Sequence, residues 1–340
     1  MQDRGELAPV LTVTELTKVY KGRKPVTAVD HLTFALGRGE ILGLLGPNGA
    51  GKTTTIQMLL STLKPTSGRI EYFGKSLAQD RESILALVGY ASAYSKLPSH
   101  LAIEENLDVF GRLYGMSGHA RKERTKELMT RFGVWDLRRR TMAELSAGQT
   151  TRVMLAKAFL ARPRIALLDE PTASLDPDIA HEVRAFVRAQ RDEAGVSILY
   201  TSHNMDEVAE ICDRVLFLDG GKIAAVGTPE ELAASAASTR IRFIVEQGLD
   251  DLIHTAEAWG LAVTVERETV EVEIDEHHVA EFLQELARKA VRYTHISLLK
   301  PTLEDYFLML ARRSNGNGGD KQVPVANSKP SAGKQTALGS

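Results

Sequence analysis

The feature that most constrains the fold is the stretch from Gly46 to Thr53, which fits the pattern G-x-x-x-x-G-K-[ST] of a phosphate-binding loop. The apolar run 41–45 precedes it and predicts a buried strand, and residues 53–63 follow with the apolar spacing of a helix. Strand, glycine-rich loop and helix are the context that the motif requires. The sequence therefore favours an α/β fold with a phosphate site, the alternative being an ordinary glycine-rich turn.

The residue types in this loop suit an anion. Gly46, Gly49 and Gly51 let the chain bend so that successive amides point inward. The start of the next helix adds the positive end of its dipole. We expect Lys52 to reach the β- and γ-phosphates of a nucleotide and the Thr53 hydroxyl to ligate Mg²⁺. A kinase or a GTPase would fit this loop equally well.

A second feature is the acidic pair Asp169-Glu170, which ends the apolar run 165–168. A carboxylate at the end of a buried strand beside a phosphate loop can hold Mg²⁺, directly or through water, so we assign this role to Asp169. Glu170 is then positioned to polarise an attacking water as general base. The alternative is an acidic helix start after a strand.

Composition limits the protein class. The chain has 340 residues, 43% of them hydrophobic, so about two domains with real cores are expected. The net charge of −2 gives no overall attraction to nucleic acid. The single cysteine, Cys212, excludes an internal disulfide and is consistent with a reducing compartment. The N-terminus does not resemble a signal peptide, and no apolar run approaches the roughly 20 residues that span a bilayer. Any membrane-spanning part is therefore expected in another chain.

The apolar patterns predict three regions. Residues 1–235 combine a β-rich start, a mainly helical stretch over 101–160 and short continuous apolar runs typical of buried parallel strands. Residues 240–312 have the order βαββαβ, which predicts a ferredoxin-like accessory domain with a final helix. Residues 313–340 are rich in Gly, Asn, Ser, Lys and Pro, and are predicted to be disordered.

A third feature is the segment Leu145-Ser146-Ala147-Gly148-Gln149, which opens a predicted helix. A serine, a glycine amide and a helix N-terminus together can form a second anion site. The alternative is that Ser146 only caps the helix.

Together these motifs resemble those of the ATP-binding cassette (ABC) ATPases over about residues 11–232. The matching segments are GPNGAGKTT (46–54), LSAGQ (145–149), IALLDEP (165–171), SLD (174–176) and the histidine at 203. Their order and spacing agree with the family, whose usual LSGGQ has Gly where this chain has Ala147. The resemblance implies a P-loop NTPase of the α/β class: a RecA-like core, an antiparallel β subdomain and a helical subdomain. Here a small α+β C-terminal domain follows.

The resemblance also implies ATP as substrate and Mg²⁺ as cofactor. The ATP-binding residues that it implies are Tyr20, Gly46, Pro47, Asn48, Gly49, Ala50, Gly51, Lys52, Thr53 and Thr54. Tyr20 would stack on adenine, unless it is a core residue of a β-hairpin. His203 would contact the γ-phosphate beside the catalytic Glu170, unless it only begins a helix.

Two cassettes of this family pack head to tail, so a second copy or a paralogous cassette is expected as a partner. Ser146, Ala147, Gly148 and Gln149 would then meet the ATP that the opposite subunit holds. Asp176 would link the two sites.

One residue departs from the family pattern. Ala93 stands where the family has a glutamine that senses Mg²⁺ and the membrane partner. Because alanine offers no side-chain ligand, we expect Mg²⁺ to rely on Thr53, Asp169 and water, and coupling to the partner to be altered.

The cassette followed by a module that ends in the segment 301–307 looks like exporters of drugs, lipids or glycans. The implied protein is a cytoplasmic ATPase, peripheral on the inner face of the cell membrane, which powers export through a separate integral membrane permease. No nucleic-acid partner is expected. One alternative is a soluble ABC ATPase acting on ribosomes or DNA, which usually has two cassettes or a long coiled-coil insertion. Another is a nucleotide-binding regulator without turnover.

Overall fold

The computed structural model describes residues 8–92, 97–235, 239–267 and 269–316, with side chains up to residue 310; Ala93 lies outside these residues. A six-stranded sheet forms the centre, with the order β10-β9-β3-β8-β7-β6. Its strands are β3 (Ile41–Leu45), β6 (Val88–Ser92), β7 (Ile165–Asp169), β8 (Ser197–Thr201), β9 (Arg214–Asp219) and β10 (Lys222–Gly227). All neighbouring strands are parallel except the β9–β10 hairpin.

The continuous apolar runs arise because both faces of this sheet are covered. On one face, Leu42, Leu44 and Leu167 join a core with the first helix and a second sheet. On the other face, Ala166 and Leu168 join a core with the helices of the helical region. Alternate residues of one strand therefore enter two different cores, as expected for a buried parallel sheet.

The second sheet is antiparallel, with the order β2-β1-β4-β5. Its strands are β1 (Leu11–Tyr20), β2 (Val26–Leu36), β4 (Ser67–Tyr72) and β5 (Lys75–Ser76). The predicted antiparallel β subdomain and RecA-like core are therefore both present.

The helices of the first region are α1 (Lys52–Leu59), α2 (Arg81–Leu85), α3 (Ile103–Leu113), α4 (Gly118–Arg131), α5 (Ala147–Phe159), α6 (Pro177–Asp192), α7 (Met205–Ile211) and α8 (Pro229–Ala234). The prediction that α1 runs to residue 63 is wrong. The helix ends at Leu59, and Ser61, two residues later, has a left-handed φ of 55° that cannot continue a right-handed helix. Helices α3 to α5 form the expected helical subdomain. No helix in the described ranges is long and apolar enough to cross a membrane.

Residues 240–299 form a four-stranded antiparallel sheet with two helices and a core of their own. The elements are β11 (Arg240–Gln247), α9 (Leu249–Ala258), β12 (Val263–Glu266), β13 (Thr269–Glu273), α10 (Val279–Arg288) and β14 (Arg292–Leu299). Their order is βαββαβ, and the sheet order β12-β13-β11-β14 is that of a ferredoxin-like module.

The last helix, α11 (Leu303–Gly316), packs against α7 and α8, and its Asp305 also forms an ion pair with Arg240 of β11 at 3.2 Å. Leu303 and Tyr306 are buried in the core of the first region, and the Phe307 ring lies 5.3 Å from the Phe217 ring of β9. The helix also includes residues 313–316, which were predicted to be disordered. Residues 317–340 of that predicted tail lie outside the described residues.

This packing gives a first prediction. Replacing Phe307 by Ala removes an edge-to-face contact with Phe217, and we expect it to lower the free energy of unfolding by about 2 kcal/mol. Leu308→Ala is the matched control, since Leu308 is its neighbour on α11 and is 45% exposed. Urea denaturation followed by circular dichroism measures both variants. Equal stability of the two would contradict the described packing of α11.

Candidate functional site

The glycine-rich loop leaves the end of β3, near the middle of the central sheet, and leads into α1. Two of its glycines cannot be replaced without distortion. Gly46 has φ 144°, and a Cβ there would lie 2.2 Å from the Leu218 carbonyl oxygen. Gly51 has φ 102°, and a Cβ would lie 2.5 Å from the Ala28 carbonyl oxygen. Glycine is therefore required at both positions for two reasons: the backbone has a positive φ, and a side chain would collide with a nearby carbonyl group.

This loop and the end of β7 line one pocket of about 200 Å³. Its lining residues are Ala28, Pro47, Asn48, Gly49, Gly51, Lys52, Thr53, Thr54, Asp169 and Glu170. The structure therefore brings together the two strongest motifs of the sequence. Of the other predicted loop residues, Ala50 is buried and its amide donates a 3.1 Å hydrogen bond to the Pro47 carbonyl.

Lys52 is the cation of this pocket. Its ammonium donates hydrogen bonds to the carbonyl oxygens of Gly46, at 2.5 Å, and Pro47, at 3.2 Å. Burial lowers the pKa of Lys52, and the nearby carboxylates of Glu170 and Asp169 act in the opposite direction. A half-buried ammonium beside a glycine-rich loop suits an anionic ligand.

Asp169 is buried at the end of β7 between hydroxyl groups of the two neighbouring strands. Thr201 of β8 donates to one carboxylate oxygen at 2.8 Å, and Ser92 of β6 donates to the other at 3.2 Å. Both residues stand directly opposite Asp169 in the parallel register. Neither residue is predicted by a sequence motif. The available signal was a hydroxyl residue at the end of each apolar run, because parallel strands end at the same edge of a sheet.

Glu170 and His203 are also brought together. Glu170 Oε2 lies 2.7 Å from His203 Nδ1, and the His203 side chain is 74% exposed. Glu170 has a left-handed φ of 52°, a conformation that costs a non-glycine residue about 1–2 kcal/mol. Its amide is held by both the carbonyl and the hydroxyl of Thr201, at 3.2 and 3.0 Å. Neighbouring groups thus hold a strained backbone at the edge of the pocket.

The oxygen donors of the pocket fit Mg²⁺. A threonine hydroxyl, Thr53, and a carboxylate, Asp169, line it, and hard oxygen ligands are those that Mg²⁺ prefers. Within the described ranges, no group of three or more His, Cys, Asp or Glu residues could hold a metal ion. Mg²⁺ that is bound together with substrate phosphates typically has only a small number of protein ligands.

Residues 146–149 lie at the start of α5 and do not line this pocket. The Ser146 hydroxyl accepts from the Gln149 amide at 3.2 Å, and the Gln149 side chain accepts from the Ser146 amide at 3.0 Å. Ser146 therefore does cap the helix, while it and Ala147 remain exposed. A Cβ on Gly148 would lie 3.0 Å from the Ser174 carbonyl, so α5 begins against the SLD segment.

Asp176 and Tyr20 also lie outside the pocket lining. Asp176 is exposed at the N-cap of α6 and makes no side-chain capping bond. Tyr20 ends β1 opposite Val26 in the β1–β2 pairing. Tyr20 is 42% exposed, and the Lys18 ammonium lies 5.4 Å from the centroid of its ring. Tyr20 is therefore not a core residue of the hairpin.

Comparisons with known proteins show the family of this chain. The family model described as "ABC transporter" matches residues 29–173. The daunorubicin/doxorubicin resistance ATP-binding protein DrrA of Streptomyces peucetius is 34% identical over 305 residues, 87% of this chain and 90% of that protein. The Nod factor export ATP-binding protein I of Paraburkholderia xenovorans is 35% identical, over 88% of this chain and 97% of that protein.

Solved structures of ATP-binding subunits have a similar fold. An ATP-binding subunit of an ABC transporter is 29% identical, with a TM-score of 0.62 over 66% of this chain and 92% of that one. A dimeric ATP-binding cassette bound to ADP and phosphate is 23% identical with a TM-score of 0.60, and shares the fold. The pocket, the motifs and these relatives lead to one conclusion: the chain is an ATPase that belongs to the ABC transporter family, in the class of its ATP-binding proteins.

Proposed function

We propose that this chain is the ATP-hydrolysing subunit of an exporter and acts on a separate membrane permease. The observation that carries the catalytic part is the contact of 2.7 Å between Glu170 and His203 at a pocket that also contains Lys52 and Asp169. Such a pocket combines a site for phosphates with a base beside it.

In this proposal Glu170 accepts the proton of the attacking water. A carboxylate can only accept hydrogen bonds, so Nδ1 of His203 donates to it. A second bond from Nε2 to the γ-phosphate then uses the imidazolium form, in which both nitrogens donate. Lys52 exchanges its contacts with the loop carbonyls for the β- and γ-phosphates. Thr53 and Asp169 would hold Mg²⁺, which supplies charge neutralisation to those phosphates.

We propose that a second cassette, either another copy or a paralogue, completes the site. Residues 146–149 do not line the pocket of their own chain, and Ser146 is exposed. The start of α5 is therefore free to meet the ATP of a partner subunit. Asp176, exposed beside it, would link the two sites, and Tyr20 would stack on adenine.

The export role and the position at the membrane rest on the relatives. Their names describe drug-resistance and Nod factor export ATP-binding proteins, and the alignments extend over most of the chain. For the domain division we propose a cassette over residues 1–235 and an accessory domain that begins at residue 240 and ends at 299 instead of the predicted 312, because α11 packs back on the cassette. We place the protein in the cytoplasm, peripheral on the inner face of the cell membrane.

Purification of the tagged, full-length chain from detergent-solubilised membranes tests this proposal. We expect a polytopic membrane protein to co-purify, together with ATPase activity in the preparation. A tagged, unrelated soluble protein is the control for non-specific recovery. Recovery of ribosomes or DNA instead would contradict the export role, and a preparation that binds ATP without turnover would contradict the enzymatic role.

A further inference from the structure

A buried carboxylate lies behind the pocket, on α7. Glu207 is 5% exposed and is not among the residues that line the pocket. It accepts hydrogen bonds from three hydroxyl groups. Thr172 donates at 2.7 Å, Ser202 donates at 2.8 Å, and Tyr200 also donates to it. Buried charged acceptors with several donors make strong and directional contacts.

The donors belong to the two segments that carry the proposed catalytic pair. Thr172 stands two residues after Glu170, and Ser202 directly precedes His203. These segments follow β7 and β8, which are neighbours in the sheet. One carboxylate therefore ties together, from behind, the two loops whose side chains meet at the pocket.

We propose that Glu207 is a positioning residue for ATP hydrolysis. By holding Thr172 and Ser202, it keeps Glu170 and His203 at their 2.7 Å contact although the Glu170 backbone is strained. Glu207 touches neither nucleotide nor water in this role, and it acts only through the other two residues. The proposal rests on the catalytic roles that we propose for Glu170 and His203.

Single hydroxyl deletions test this role and leave the carboxylate in place. Thr172→Val and Ser202→Ala each remove one donor to Glu207. We expect each to lower kcat about 10-fold, since a small displacement of reacting groups is costly. The KM and Kd for ATP should change less than about 2-fold, because the phosphate loop is untouched. The double variant should lose less than the product of the two effects, since both donors act through one carboxylate.

Two further variants separate positioning from packing. Thr172→Ser restores the hydroxyl and should restore kcat to near the wild-type value. Thr255→Val is the matched control, because Thr255 is also buried and donates to a backbone carbonyl, that of Asp251 in α9. We expect wild-type kcat from Thr255→Val even where thermal stability falls.

The outcomes distinguish the two proposals. If the wild-type chain does not hydrolyse ATP, the proposed function fails. If the wild type is active, Glu170→Gln is inactive, and both hydroxyl deletions retain wild-type kcat, only the role of Glu207 is overturned. Loss of ATP binding in the deletions, or an equal loss of kcat in Thr255→Val, would likewise overturn it.

Discussion

Replacing Glu170 by Gln is expected to lower kcat for ATP hydrolysis by at least about 100-fold while ATP still binds. An amide cannot accept the proton of the attacking water, and a general base contributes about 10²–10⁴-fold. Gln keeps the shape of the side chain and is as strained as Glu at a left-handed φ of 52°. A change in backbone conformation would therefore not explain the loss of activity. Phosphate release measures turnover, and fluorescent nucleotide titration measures binding.

The matched control is Glu82→Gln, the same substitution at an exposed position of α2 in the cassette. It should leave kcat and ATP affinity unchanged. If Glu170→Gln retained half of the wild-type kcat, another group would have to be the general base. The contact between Glu170 and His203 would then not have the catalytic role that we propose.

Replacing Lys52 by Ala is expected to abolish hydrolysis and to weaken ATP binding by about 10–100-fold. The ammonium is the pocket's cation, and a hydrogen bond to a charged group contributes about 1.5–3 kcal/mol. Deletion also leaves Asp169 and Glu170, whose negative charges oppose the lowering of the Lys52 pKa by burial, without a nearby positive charge. Repulsion of the phosphates by these carboxylates would add to the loss.

Equilibrium binding of labelled ATP measures this effect, with Lys64→Ala as an exposed lysine control. If Lys52→Ala bound ATP with wild-type affinity, the proposed contact between Lys52 and the phosphates would be contradicted. Together with Glu170→Gln, this variant separates a defect in binding from a defect in the chemical step.

The sequence was sufficient to predict the sheet, the loop and their meeting point. The reason is that Gly46 follows the apolar run of β3, and Asp169 and Glu170 follow that of β7. These two strands are parallel, with only β8 between them, so their ends lie at the same edge of the sheet. Local chemistry and strand periodicity therefore determined most of the pocket. The exposure of Tyr20 could not be predicted from the sequence, because the end of a hairpin can be covered by other elements or open to solvent.

The partners of the acidic residues could not be predicted in this way. Ser92 and Thr201 meet Asp169 only through a register between strands that are distant in the sequence. Glu207 lies near the start of α7, and its contacts with Tyr200 and Ser202 depend on how α7 packs against the end of β8. The apolar pattern predicts which face of a helix or strand is buried. Which residues that face then contacts depends on tertiary packing.

The packing of α11 determines how the βαββαβ module is connected to the cassette. Because the chain leaves α8, forms the βαββαβ module and returns to α7 and α8, residues 240–299 are an insertion between two parts of the cassette. A chain cut after α8 would therefore lose more than the module. It would leave Phe217, now 4% exposed, without the Phe307 ring, and would open an apolar patch of the kind that promotes association. Excision of the module with α11 rejoined through a linker would keep that patch covered.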